Sequence, residues 1–123
     1  MKILADSSVW IDHLHEAIEG LNRALDAEQI YVHQVVIGEL ACGTLAHRAG
    51  VLTDLMLLPE LGEASSGELL ALIDRRKLWG RGLSWVDVHL LGAVLLAGAK
   101  LWTHDRSLHR VAQELGVAYD EPE

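Results

Sequence analysis

The amino-acid sequence predicts an α/β protein with a three-layer architecture, in which a mostly parallel sheet of four or five short strands is covered by helices on both faces. Short apolar runs of strand length alternate with longer segments whose apolar residues recur at helical spacing. The strand-like runs are continuously apolar, as is typical of parallel strands that are buried on both faces. With 123 residues, 50% of them hydrophobic, the chain has the size of one domain, and we expect a single domain over residues 1–123.

The first half of the sequence predicts two units in which a strand leads into a helix. Residues 2–5 are an apolar run that Asp6 closes, and apolar residues then follow at helical spacing. A second helical stripe covers residues 21–25. Residues 29–32 form a brief β-rich run, and residues 35–45 return to the helical pattern.

The second half continues the alternation. Pro59 ends a helical pattern, and Gly116 ends another, because proline removes a backbone donor and glycine readily closes a helix. The predicted elements in this half are a helix over residues 51–58, a strand near residue 61, a helix around residues 69–73, a helix over residues 85–97, a strand over residues 100–103, a helix over residues 106–115 and a last strand at residues 117–119.

Four acids lie where these predicted strands end or where the helices begin or run: Asp6, Glu39, Asp87 and Asp105. In open parallel sheets, ligands gather at the carboxyl ends of the strands, and both Asp6 and Asp105 follow a strand. Neighbouring carboxylates repel each other by about 4 kcal/mol per pair at about 4 Å and an effective dielectric constant of about 20. A divalent cation would remove this repulsion, so the pattern predicts a metal site.

Each acid also has a structural explanation. Asp6 and Asp105 are placed to cap helices, and Ser84 with Asp87 matches the capping-box pattern. Glu39 has no capping explanation, because it lies inside an apolar helical segment where an unpaired buried carboxylate is unfavourable. A partly exposed position on that helix is its structural alternative.

The net charge of −8 argues against a protein that coats nucleic acid with a broad basic surface. Two local clusters are nevertheless basic, and each is either a phosphate-binding surface or a solvated helix face. The first cluster comprises Arg75, Arg76, Lys77 and Arg81 beside Trp79, and the second comprises His104, Arg106, His109 and Arg110.

The apolar run over residues 90–99 is far shorter than the roughly 20 residues that span a bilayer. An acid also follows the N-terminus before any signal-peptide core. We therefore expect a cytoplasmic protein without membrane contact. Cys42 is the only cysteine, which rules out an internal disulfide, and its apolar surroundings in the sequence predict that it is buried.

Four segments resemble the ordered acidic motifs of PIN-domain nucleases. They are Asp-Ser-Ser-Val-Trp-Ile-Asp at residues 6–12, Val-Ile-Gly-Glu-Leu at 36–40, Leu-Ser-Trp-Val-Asp at 83–87 and Leu-Trp-Thr-His-Asp-Arg-Ser-Leu at 101–108. The resemblance spans nearly the whole chain. At this length the sequence is most similar to VapC-type toxins, the ribonucleases of toxin–antitoxin pairs.

The resemblance implies an endoribonuclease that hydrolyses RNA phosphodiester bonds with the four acids as its metal pocket and with Asp6 and Asp87 as direct ligands. It also implies that Ser7 and Thr103 support these ligands. Oxygen ligands without a His or Cys cluster favour Mg²⁺ or Mn²⁺ over zinc. The implied partners are an RNA substrate, a cognate antitoxin and a second copy in a homodimer. The arginines expected to contact RNA phosphates are Arg75, Arg76, Arg81, Arg106 and Arg110.

Two other functions are compatible with a small α/β domain. A phospho-receiver module needs a phosphoacceptor Asp at the end of a central strand, whereas Asp54 lies in a helical pattern. A catalytically silent PIN-like module that binds RNA or protein would usually lack one or more of the acids. All four are present here, which favours the nuclease.

Overall fold

The computed structural model describes residues 1–122, so Glu123, the last residue of the expected domain, lies outside the described residues. Helices and short strands alternate through the described part, as the sequence predicts. The elements are β1 (Ile3–Ala5), α1 (Ser7–His15), α2 (Glu19–Asp26), β2 (Ile30–Tyr31), α3 (Gln34–Cys42), α4 (Arg48–Met56), α5 (Ser66–Arg76), α6 (Trp85–Ala97), β3 (Lys100–Trp102) and α7 (Arg106–Glu114).

The three strands form one parallel sheet in the order β2-β1-β3. In the central strand, Ile3 is paired with Ile30 on one side and with Lys100 on the other. All three strands end at the same edge because they run in one direction. The α/β class and the parallel sheet are therefore confirmed.

The predicted number of four or five strands is wrong, since the sheet in residues 1–122 has three. Each outer edge carries only a single parallel bridge, between Val32 and Glu60 and between Leu101 and Ala118. On the first edge, Val32 donates its N–H to the carbonyl of Pro59, and Pro59 itself has no N–H with which to continue a ladder. Glu60 and Ala118 thus lie where the two additional strands were predicted, but each forms one bridge and not a continuous strand pairing.

The sheet is buried between helices. Every residue of β1 is at most 1% exposed, and six of the 13 residues of α6 are buried. Helix α1 packs against β1, while α6 and α7 pack against β3. β1 is covered on both faces, whereas α6 buries one face and leaves Trp85, Leu95 and Leu96 exposed on another.

Helix α5 lies very close to α6 at Gly92. A Cβ atom at Gly92 would clash with Cδ2 of Leu69 on α5 and would lie 3.3 Å from Cβ of Ala64. The missing side chain of Gly92 therefore sets the distance between these two helices.

The tryptophans divide into two buried and two exposed residues. Trp10 and Trp102 belong to the core, whereas Trp79 is 63% exposed and Trp85 is 45% exposed. Cys42 is exposed, contrary to the prediction of burial, because it is the last residue of α3 and lies two positions beyond the buried Leu40, away from the buried face. Within residues 1–122, no helix combines the length and apolar composition needed to cross a membrane.

Candidate metal centre

Asp6 is the most buried of the four candidate acids. It follows directly after β1, at the carboxyl edge of the sheet, and is only 5% exposed. It is also the N-cap of α1, as predicted, because its Oδ1 accepts the backbone N–H of Val9 at 3.2 Å. The hydroxyl of Ser8 donates to Oδ1 as well, and the hydroxyl of Thr103 donates to Oδ2.

Burial raises the pKa of Asp6, and the hydrogen bonds from Ser8, Thr103 and the backbone of Val9 offset this only in part. The charged form of a carboxylate in this environment lacks the stabilisation that water would give. A cation at the sheet edge would supply it.

The hydroxyls of Ser8 and Thr103, which donate to Asp6, each accept a hydrogen bond from a backbone N–H in the segment after β3. The backbone N–H of His104 donates to Oγ of Ser8 at 2.9 Å, and the N–H of Asp105 donates to Oγ1 of Thr103 at 3.0 Å. Thr103 therefore supports Asp6 through this hydrogen bond. Ser8 was missed by sequence analysis, although a hydroxyl in the first turn after an N-cap acid was a usable signal.

Glu39 lies in α3 and is exposed. Its Oε1 accepts the hydroxyl of Ser7 at 3.1 Å, so Ser7 supports Glu39 and not Asp6. Partial burial raises the pKa of Glu39, the Ser7 hydrogen bond lowers it, and the negative charges of Asp6 and Asp87 raise it further. Both Asp6 and Asp87 are thus close enough to Glu39 to repel its carboxylate.

Asp87 and Asp105 both cap helices. Asp87 forms the predicted capping box of α6, in which its Oδ2 accepts the N–H of Ser84 at 2.9 Å and its own N–H donates to Oγ of Ser84 at 3.1 Å. Oδ1 of Asp105 accepts the N–H of Leu108 at 2.9 Å and caps α7. Among residues 1–122, these capping bonds use one carboxylate oxygen of each acid.

Three of the four acids therefore lie at the N-termini of helices α1, α6 and α7. The N-terminus of a helix carries a partial positive charge that stabilises a nearby anion by about 0.3–1 kcal/mol. The same geometry holds the three carboxylates in place.

The four candidate acids are not gathered into a closed cluster among the described residues. Within residues 1–122, no three His, Cys, Asp or Glu side chains lie close enough together to form a ready-made metal cage. Mg²⁺ does not need such a cage, because it retains several waters and is usually held by one or two carboxylates together with substrate phosphates. The hard oxygen donors and the mutual repulsion around Glu39 fit a hydrated divalent cation of this kind.

Residue His104, next to Asp105, connects the site to the C-terminal segment. Its Nδ1 lies 2.5 Å from Oδ2 of Asp12, and its Nε2 contacts Glu121. Although partial burial lowers the pKa of His104, the hydrogen bonds with Glu121 and Asp12 raise it overall. Glu121 also accepts the indole N–H of Trp102. These contacts fasten the chain end across the outer edge of β3.

The candidate RNA-binding arginines lie on two elements. Arg106 and Arg110 are exposed on α7, where Arg106 directly follows Asp105. Arg75 and Arg76 are exposed in the last turn of α5, and Arg81 pairs with Glu114 of α7 at 2.7 Å. Only Arg106 is thus placed beside one of the acids by its position in the chain.

Comparisons with known proteins agree with this arrangement. The sequence profile of the family described as PIN domain matches residues 3–114. The protein called Ribonuclease VapC32, in two strains of Mycobacterium tuberculosis, is 45% identical over 120 residues, which cover 97% of each chain. The solved structure of PAE2754 from Pyrobaculum aerophilum superimposes with a TM-score of 0.60 at 17% identity, covering 89% of this chain and 78% of that one, which shows a shared fold. The chain belongs to the PIN-domain family and, within it, to the VapC-type proteins.

Proposed function

We propose that this chain is a metal-dependent endoribonuclease of the VapC toxin type, which hydrolyses RNA phosphodiester bonds at the edge of the sheet where Asp6 lies. The observation that carries the proposal is the buried Asp6 carboxylate, held by two hydroxyls and electrostatically coupled to Glu39. The similarity to a protein called a ribonuclease supports the choice of RNA.

We assign the metal site to Asp6, Glu39, Asp87 and Asp105, and the ion to Mg²⁺ or Mn²⁺. When bound, such an ion lowers the pKa of an attached water and offsets the negative charge that develops on the phosphate. The protein's own contribution is orientation. Ser8 and Thr103 fix both oxygens of Asp6, and the capping bonds fix Asp87 and Asp105 while leaving each a second oxygen.

Substrate and ion would bind together. The acids repel a phosphate in the absence of a cation, whereas the N-termini of α1, α6 and α7 favour it once their carboxylates are neutralised. Exposed arginines then supply the contacts that position the RNA chain without reading its sequence. The assigned contacts are Arg75, Arg76, Arg81, Arg106 and Arg110.

The same proposal includes a cognate antitoxin, a homodimer, a cytoplasmic location and a single PIN domain over residues 1–123. An apolar surface at the end of α4 supports a protein partner, because Met56 is 67% exposed and Leu57 is 79% exposed. The charge of −8 suits a partner with a basic segment.

The decisive experiment measures cleavage of RNA with Mg²⁺ or Mn²⁺ by the wild-type protein and by Asp6→Asn and Asp87→Asn. Glu68→Gln is the matched control, because Glu68 is the acid of the corresponding capping box on α5, outside the site. We expect both Asp variants to lose cleavage and the Glu68 variant to retain it. Equal cleavage by all four proteins would refute the site.

A catalytically silent RNA-binding module remains the alternative, and the same experiment separates it. Such a module would bind RNA but would not cleave it with any divalent metal, and neither Asp variant would change the result.

A further inference from the structure

The segment between α5 and α6, residues 77–83, holds an aromatic side chain out in solvent. We call it the Trp79 loop. Trp79 is 63% exposed, although the residue before it, Leu78, is only 4% exposed. The backbone N–H of Leu78 donates to the carbonyl of Ile73 at 3.0 Å, which anchors the loop to the end of α5. The exposed indole therefore follows an anchored residue.

The backbone of the Trp79 loop is also constrained. Lys77, Gly80 and Gly82 have φ values of 54°, 71° and 78°, in the left-handed region. Lys77 lacks the conformational freedom of glycine, so its backbone is strained there. Lys77 is the C-cap of α5, and the turn that follows buries Leu78 and exposes the larger indole of Trp79.

The charge around Trp79 is unlike the rest of the protein. Four of the ten Lys and Arg residues lie between positions 75 and 81, in a chain of net charge −8. Arg75, Arg76 and Lys77 are exposed, and in residues 1–122 none of them has a carboxylate within 4.0 Å. These three cations are therefore available to a negatively charged partner.

The Trp79 loop leads directly to the candidate metal centre. Arg81 contacts Glu114 at the end of α7, and a Cβ atom on Gly82 would lie 3.2 Å from Oγ of Ser107 in the first turn of that helix. The residue after the loop is Ser84, which caps α6 together with Asp87. Trp79 is five residues from Ser84 and so lies at most about 18 Å from it along the chain. That is a span of a few nucleotides.

We propose that Trp79, together with Arg75, Arg76 and Lys77, binds single-stranded RNA and guides it towards Asp87. The indole stacks on an unpaired base, and the cations contact the flanking phosphates, which is the combination that single-strand-binding surfaces use. The identity of the ligand rests on the proposed ribonuclease function, whereas the surface itself rests on exposure, anchoring and charge.

The test measures binding of a short, fluorescein-labelled, single-stranded RNA of mixed sequence to the Asp6→Asn protein in Mg²⁺, where cleavage is blocked. In that background, Trp79→Leu keeps an apolar side chain but removes the stacking face, and Trp79→Tyr keeps an aromatic ring. We expect Trp79→Leu to weaken binding roughly 5- to 150-fold, the range expected for one stacked base. Trp79→Tyr should retain most of the affinity.

A salt titration tests the cations separately. Replacing Arg75, Arg76 and Lys77 by Gln should reduce the slope of log affinity against log salt by about 0.7 for each RNA phosphate that these side chains neutralise. Arg23→Gln is the matched control, because Arg23 is exposed on α2 and its nearest acid is Glu19, one helical turn away. Its slope should equal that of the parent protein.

Two results would overturn the proposal. One is equal RNA affinity for Trp79→Leu and its parent. The other is a change in sedimentation coefficient caused by Trp79→Leu without a change in RNA affinity, which would assign the indole to a contact between copies of the chain. Cleavage by the protein with intact Asp6 is measured in parallel. Absence of cleavage, together with a Trp79 effect on binding, would refute the ribonuclease function and leave the surface standing.

Discussion

Replacing Thr103 by Val tests whether the hydroxyl network around Asp6 stabilises the fold. Valine has nearly the shape of threonine, so the change removes the hydroxyl with little change in packing. The hydroxyl donates to Oδ2 of Asp6 and accepts the N–H of Asp105, and Thr103 is only 6% exposed. One substitution therefore removes both hydrogen bonds of this hydroxyl, one to Asp6 and one within the segment after β3.

The magnitude follows from these two bonds. A hydrogen bond to a charged group contributes about 1.5–3 kcal/mol, and an amide left without its partner costs at least about 0.5 kcal/mol more when water reaches it in part. We expect a loss of about 2–4 kcal/mol in the free energy of unfolding. For a chain of this size, that corresponds to a fall in Tm of roughly 6–16 °C.

The assay is urea and thermal unfolding followed by circular dichroism, in EDTA so that bound metal does not contribute. Thr103→Ser is the control, because it keeps the hydroxyl and should lose less than about 1 kcal/mol. Unfolding of Thr103→Val at the wild-type midpoint would refute the reasoning. So would an equal loss in the Val and Ser variants, since the effect would then come from packing.

Three further predictions concern pH, helix packing and metal binding. Burial lowers the pKa of His33 below its ordinary value of 6.5, so its contribution to stability is full above that pH and is lost as the pH falls towards the folded-state pKa. The variant His33→Asn retains an N-cap acceptor, so between about pH 7 and pH 5 its free energy of unfolding in urea should fall less than that of the wild type. An equal fall in both proteins would show that His33 does not cause the pH dependence. Gly92→Ala should destabilise the protein by about 1–3 kcal/mol, because the added methyl group clashes with Leu69. Combined with Leu69→Ala, the same change should cost less. If the losses of the two single variants simply add in the double variant, the clash between residues 92 and 69 is excluded. Glu39→Gln keeps an acceptor for Ser7 but removes a negative charge. The rise in Tm that Mg²⁺ produces should therefore be smaller than in the wild type, whereas stability without metal should not fall. A rise as large as that of the wild type would show that Glu39 does not bind the metal.

The caps were predictable because capping is a local matter. Asp6, Asp105 and the pair Ser84–Asp87 each satisfy N–H groups three residues away, and the residue types and spacings that do so are visible in the sequence. The alternation of apolar runs predicted the parallel sheet for a similar reason. The number of strands was not predictable in this way, because an apolar run becomes a strand only when a neighbour offers a complete ladder.

Long-range contacts were beyond the reach of the sequence. The bond from Ser7 to Glu39 spans 32 residues, and the bond from Thr103 to Asp6 spans 97. No local pattern distinguishes Ser7 from Ser8, yet the fold assigns one to Glu39 and the other to Asp6. Likewise, residue type does not determine the exposure of the tryptophans, because Trp79 is 63% exposed whereas Trp102 is 1% exposed.

The sequence by itself thus determined the fold class, the helix caps and the order of the acidic motifs, since each depends on residues close together in the chain. Only the tertiary structure decided how the acids couple, which hydroxyl holds which carboxylate and which tryptophans face solvent. The physical reason is that burial and electrostatic interaction depend on distances in space, and those distances are set by the packing of β1 between its two neighbouring strands.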